Sequence, residues 1–147
     1  MPGTEDFFYV FDACALLALF NDEEGADVVA DLIMQANTSE AFIYMSIVQV
    51  LEVYYDRIRV KGIDYANTVL QSICASSITV VYDIPLTNVR EAGRLKTTHS
   101  ISLADAILCA LASTMSASLV TADGELKPVE AAEHINFHWF RPPKEKG

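Results

Sequence analysis

Apolar and polar positions follow one another along this chain in blocks of different period, and the blocks predict its elements. Residues 7–12 read Phe-Phe-Tyr-Val-Phe-Asp, an unbroken apolar run that stops at a carboxylate. A strand covered on both faces has this pattern, which points to a parallel sheet. A short helix is expected over 13–20, with a break from Asn21 to Gly25. Val28, Val29, Leu32 and Ile33 then recur at helical spacing to about Ala36. Residues 42–45 fit a second strand, and Ser46 fits the N-cap of the helix after it. In that helix Ile47, Val50, Leu51, Tyr54 and Ile58 fall at i, i+3, i+4, i+7 and i+11, the spacing of an inward face.

Gly62 closes that helix, and another starts near Asp64 with Ala66, Val69, Leu70, Ile73 and Cys74 expected inside. Residues 78–82 make a third strand, which Pro85 ends. A polar helix follows at about 87–96. Ser102-Leu-Ala-Asp105 has the form of a capping box with Asp in place of Glu, and opens an apolar helix to about Met115. Residues 118–122 give a fourth strand before Asp123-Gly124, and 136–140 a fifth. Strands alternating with helices predict an α/β fold, three layers deep, on a mostly parallel sheet of four to five strands. No repeat or linker divides the chain. One domain over 1–147 is expected, its core at about 7–140 and its tail from 141 loose.

Composition narrows the function classes. Apolar residues make up 52% of the 147 and charged residues 20%, with 6 Gly and 5 Pro, which excludes disordered and collagen-like chains. The 20 acids outnumber the 10 basic residues, so a broad electrostatic grip on nucleic acid is excluded and a local basic strip or bound cations would be needed. Cys14, Cys74 and Cys109 are too scattered for a disulfide framework or a zinc site and read as small buried hydrophobes in a reducing compartment. The acidic amino terminus is unlike a secretion signal, and the apolar run from Ala13 to Phe20 is too short to span a bilayer. A cytoplasmic protein without a membrane anchor is the expectation.

Ligands of open α/β sheets bind at the carboxyl ends of the strands, and four acids fall there. Asp12 and Asp123 end strands, Asp105 lies in the first turn of its helix, and Glu52 sits at the rim of a helix face. Each has a plainer role: Asp12 as a helix cap, Asp105 in the capping box, Asp123-Gly124 as a turn, Glu52 as a solvated residue with Asp56. Together they would repel one another, and a hard divalent cation held by oxygen ligands, Mg²⁺ or Mn²⁺, relieves that.

The segments Tyr-Val-Phe-Asp12-Ala-Cys-Ala-Leu-Leu, Met-Ser-Ile-Val-Gln-Val-Leu-Glu52-Val-Tyr-Tyr, Ser-Leu-Ala-Asp105-Ala-Ile and Leu-Val-Thr-Ala-Asp123 resemble, in order and spacing, the PIN-domain family of metal-dependent ribonucleases. The likeness is greatest to the VapC-type toxins of toxin–antitoxin pairs and covers about residues 8–140. It implies that Asp12, Glu52, Asp105 and Asp123 hold one or two Mg²⁺ or Mn²⁺ ions, with the Thr121 hydroxyl in support, and that RNA phosphodiester bonds are hydrolysed to leave a 5′-phosphate. It also implies a small antitoxin partner and a homodimer. Tyr54, Tyr55 and Ile58 form an aromatic cluster larger than one helix face needs, which suits an interface. Family members usually carry Ser or Thr after the first aspartate; Ala13 and Cys14 stand here, so a supporting hydrogen bond is expected to be missing. A degenerate member that only binds a protein partner is the alternative.

Other α/β readings fail on residues. A dehalogenase-type phosphatase needs a second aspartate at 14, a receiver domain needs paired early acids, and a dinucleotide fold needs glycines between 13 and 20. Two basic strips, Arg57, Arg59 and Lys61, and Arg90, Arg94 and Lys96, are candidate guides for the RNA backbone. His99, beyond the second, reads as a loop histidine.

Overall fold

The predicted first strand forms as β1 (Phe8–Phe11) in a computed structural model that describes residues 7–143. After it come α1 (Ala13–Phe20), α2 (Ala26–Asn37), β2 (Phe42–Ser46), α3 (Ile47–Lys61), α4 (Ile63–Ala75) and β3 (Ile78–Val81). Then follow α5 (Leu86–Thr98), α6 (Leu103–Met115), β4 (Ser118–Thr121), a 3₁₀ turn at Gly124–Leu126, α7 (Lys127–Ala132) and β5 (Phe137–Trp139). The strands pair in the order β3-β2-β1-β4-β5, every pair parallel.

Period-two alternation along the central strands sorts their side chains into two cores. Phe11 of β1 and Val120 of β4 join the layer of α1 to α4, with Leu16, Val29, Val50 and Val69. Their neighbours Val10 and Leu119 join the opposite layer, with Leu95, Leu108 and Leu126. Apolar surface removed from water on both faces holds the sheet, at roughly 25 cal/mol per Å². This is the predicted three-layer α/β/α arrangement.

Several packing expectations are corrected. The inward side of α3 is Gln49, Val50, Val53 and Arg57, whereas Leu51 is 57% exposed. Contacts of α3 with α1, α4 and α6 as well as the sheet turn its buried stripe away from the apolar one. Arg57 can be inside because its guanidinium donates to Asp56 Oδ2 at 2.6 Å and to Asn21 Oδ1 at 3.0 Å. Only Cys109 of the cysteines is buried; Cys14 is half-buried and Cys74 exposed. Tyr54 donates its hydroxyl to Asn67 of α4 and Ile58 is half-buried, so Tyr55 alone of that trio stays exposed. The tail is docked at its start, where Arg141 donates to Glu23 Oε1 and to the Glu24 carbonyl, each at 3.0 Å. Residues 1–6, on which the leader argument turned, and 144–147 of the expected loose tail lie outside the described residues.

Candidate active site

The strand order places β1 between β2 and β4, so the chain leaves β1 to one side for β2 and later returns to its other side as β4. Such a reversal opens a crevice at the carboxyl ends of the two strands. Asp12 follows β1 there and Asp123 follows β4, both at the mouth of the crevice. Glu52 reaches it from the second turn of α3 and Asp105 from the first turn of α6. All four line one cavity of about 380 Å³. The structure brings the four predicted acids together.

Asp12 occupies the N-cap position of α1, yet its side chain makes no cap bond. It is buried, and Oδ2 accepts instead from the Thr121 hydroxyl at 2.7 Å, while Thr121 Oγ1 accepts from the Asp123 amide at 3.1 Å. One hydroxyl thus ties both strand-end acids. Burial raises the Asp12 pKa, and the Thr121 hydroxyl opposes that by favouring the carboxylate. The support expected to be missing at positions 13 and 14 comes from elsewhere. Cys14 Sγ lies 3.7 Å from Thr121 Oγ1, and the Ala13 amide donates to Gln49.

Asp105 forms only half a capping box: the Ser102 hydroxyl accepts from its amide at 3.0 Å, and its carboxylate returns no bond to the Ser102 amide. Burial, then the charges of Asp12 and Asp123, push that carboxyl up to about 7. Glu52 is raised for the same reasons, burial first and then Asp12 and Asp123. The plain reading holds in part for Asp123, whose Oδ1 caps the 3₁₀ turn by accepting from the Glu125 amide at 2.9 Å. That turn adds an acid the sequence argument passed over. One oxygen each of Asp105, Asp123 and Glu125 lie within 4.8 Å of one another, near the spacing of about 4 Å across one octahedral cation. The donors are all hard oxygens, and none of the four predicted acids has an ion-pair partner among the described residues. A divalent cation fits this donor set, which Asp-Gly-Glu spacing after a strand could have signalled.

A family model described as PIN domain matches residues 9–131. The chain belongs to the PIN domain family. PIN domains are nucleases. No curated protein matches the sequence. Among solved structures, the fold is similar to VapBC2 from Rickettsia felis bound to a promoter DNA fragment, at 17% identity and TM-score 0.69 over 89% of this chain and 97% of that one. DNA-bound VapBC from Salmonella typhimurium is similar at 12% identity and TM-score 0.69, over 92% and 99%. A toxin–antitoxin complex from Klebsiella pneumoniae is similar at 16% and 0.64, over 91% and 98%.

Within this PIN domain one uncharged side chain joins three acid-bearing segments. Gln49 is fully buried; its Oε1 accepts from the Ala13 amide at 2.9 Å and its Nε2 donates to the Ala104 carbonyl at 3.3 Å. Ala13 follows Asp12, Ala104 precedes Asp105, and Gln49 lies three residues before Glu52 on the same helix. The two basic strips take different places in the fold. Arg57 is buried and bonded internally, and Lys61 lies over the Tyr65 ring. Only Arg59 of the six lines the cavity; Arg90, Arg94 and Lys96 are carried by α5, outside its lining. His99 ends α5 and bonds Glu133. Arg141, from the tail, is a second cation at the cavity.

Proposed function

We propose that this protein is a Mg²⁺- or Mn²⁺-dependent endoribonuclease and the toxin of a toxin–antitoxin pair, working as a single domain in the cytoplasm. The observation that carries the reading is the crevice between β1 and β4, where Asp12, Glu52, Asp105 and Asp123 meet and none has an ion-pair partner among the described residues. Those four, with Glu125 beside them, would hold the ion, which when bound polarises a phosphoryl oxygen and lowers the pKa of water. The chain's part is placement. Thr121 orients Asp12 and the Asp123 amide, Gln49 fixes the start of α1 against the start of α6, and Arg59 offers a cation to the RNA backbone. No Ser, Cys or His nucleophile is required. The Cys14 thiol beside Asp12 is held well above the usual thiol range by burial, so it stays protonated.

The complexes it resembles in fold support a small antitoxin as partner. A homodimer is favoured by large apolar side chains left at the surface, Leu51 at 57% and Leu103 at 65% exposure, with Tyr55 of the same helix as Leu51. Purified protein incubated with RNA and Mn²⁺ should cleave it, and chelator should stop the reaction. Asp12→Asn should lower the rate beyond the roughly 10- to 100-fold that losing a mere supporting hydrogen bond costs. Cleavage that survives chelator and Asp12→Asn would overturn the proposal. Binding of a protein partner with no RNA cleavage would favour the alternative, a PIN fold kept only for interaction.

A further inference from the structure

We propose that Arg141 forms a binding subsite for the RNA phosphate adjacent to the one being hydrolysed, so that the residues directly after β5 are part of the substrate cleft. This rests on the nucleolytic reading above. Three observations place the guanidinium deliberately. The residue lines the same cavity as the four acids although it lies beyond the last strand. Its anchor is built: Nη1 donates to both Glu23 Oε1 and the Glu24 carbonyl at 3.0 Å, and the guanidinium carbon lies 5.2 Å from the centre of the Phe140 ring. Phe140 is itself buried, and its amide donates to the Thr121 carbonyl at 3.2 Å, which extends the pairing of β4 to the residue before Arg141.

The third is a close approach. Gly25 has φ +89°, and a Cβ there would stand 2.4 Å from the Phe140 carbonyl oxygen. Only glycine lets the turn between α1 and α2 come so near. The tail therefore reaches the cavity mouth in one fixed path. With Nη1 engaged, Nη2 and Nε have no partner among the described residues. A planar fork with unused N–H groups beside an acidic cavity suits a phosphodiester oxygen. The acids would repel a phosphate chain, and Arg141, with Arg59 on the same cavity, answers that repulsion at the point where the strand leaves the cluster.

Short oligoribonucleotides separate the subsite from the reaction centre. A dinucleotide offers only the scissile phosphate, and trinucleotides extended on the 5′ or the 3′ side add one neighbour. With Mn²⁺, the parent should prefer one of the two trinucleotides over the dinucleotide. Arg141→Ala should lower that ratio of kcat/KM about tenfold, mostly through KM, the scale of one charge-assisted hydrogen bond. Arg141→Lys should restore part of it. Glu23→Gln, which loosens the anchor and keeps the cation, should have a smaller effect. A ratio unchanged by Arg141→Ala, or Glu23→Gln matching Arg141→Ala in full, overturns the subsite and leaves Arg141 as a tail anchor. Should the parent cleave none of these, binding of labelled trinucleotides decides: affinity that depends on Arg141 keeps the subsite and discards hydrolysis, and affinity independent of it discards both.

Discussion

Two clusters of charged side chains in this fold have opposite characters. At the far side of α5, Glu133 accepts from Arg94 Nη2 at 2.7 Å and pairs with His99 Nε2 at 2.7 Å, while Arg94 also reaches Glu91 at 2.6 Å. Hydrogen bonds from Arg94 and then His99 hold the Glu133 carboxyl down at about 2. In the crevice, burial and like charges push Asp105 up to about 7. The same functional group thus lies on either side of its ordinary range within one small molecule. Opposite charges supplied by the chain make a tie between α5 and the end of α7. Like charges gathered by the fold make a site that no ion pair among the described residues neutralises, although Arg59 and Arg141 stand on the same cavity.

That contrast can be tested on stability, beginning with the largest effect. Gln49→Leu should cost about 3 kcal/mol in urea unfolding, because it leaves the buried Ala13 amide without an acceptor and removes the tie to the Ala104 carbonyl between the acid-bearing segments. A cost below 1 kcal/mol would mean that those segments hold their positions without it. Next comes Asp105→Asn. In chelator it should melt at or above the parent's temperature, since it removes repulsion. With Mn²⁺ at a hundred times its dissociation constant the parent should gain about 2.7 kcal/mol and the variant much less. Equal drops in both buffers would assign Asp105 to the helix cap. Smallest is Glu133→Gln, a loss of about 1 kcal/mol identical with and without Mn²⁺, as for a partly exposed ion pair. A metal-dependent loss there would erase the distinction.

The pH response sharpens it further. Without metal, the native Asp105 carboxyl holds its proton to about 7 and the unfolded one only to 3.8, so the native state binds more protons between those values. Stability in chelator should therefore fall as pH rises through that window, and Asp105→Asn should flatten the slope. Glu133 runs the other way. Its contribution is complete above 4.5 and is lost as pH falls toward 2. Thermal melts from pH 3 to pH 8 in chelator check both signs.

Most of this was legible because it is local. The apolar run before Asp12, the stop at Gly62, the cap at Ser46 and the alternation of strand and helix are written in neighbouring residues, and they suffice to send four acids to one sheet edge. What stayed hidden depends on partners far along the chain. Gln49 and Arg57 interrupt the apolar stripe of α3 and are inside only because Ala104 and Asn21 receive them. Glu125 joins the acids through a turn that Asp123 caps, and Arg141 is ordered by Glu23, 118 residues away. Asp-Gly-Glu after a strand offered a local signal for the first, and spacing rules see nothing of the second.

The position of β4 has a consequence for the order in which the crevice is assembled. Asp12 and Glu52 leave the ribosome before Asp123, which follows a strand whose place beside β1 stays empty until residue 121 has emerged. Domains synthesised from the amino end at about 5–20 residues per second pass through such partial states for several seconds. During them β1 has one paired edge, Asp12 lacks the Thr121 hydroxyl, and two of the four acids have no fixed place. The crevice closes in a single late event, the addition of one central strand. Until then the acids that this fold gathers stand apart, and a nascent chain has the elements of the crevice without the crevice.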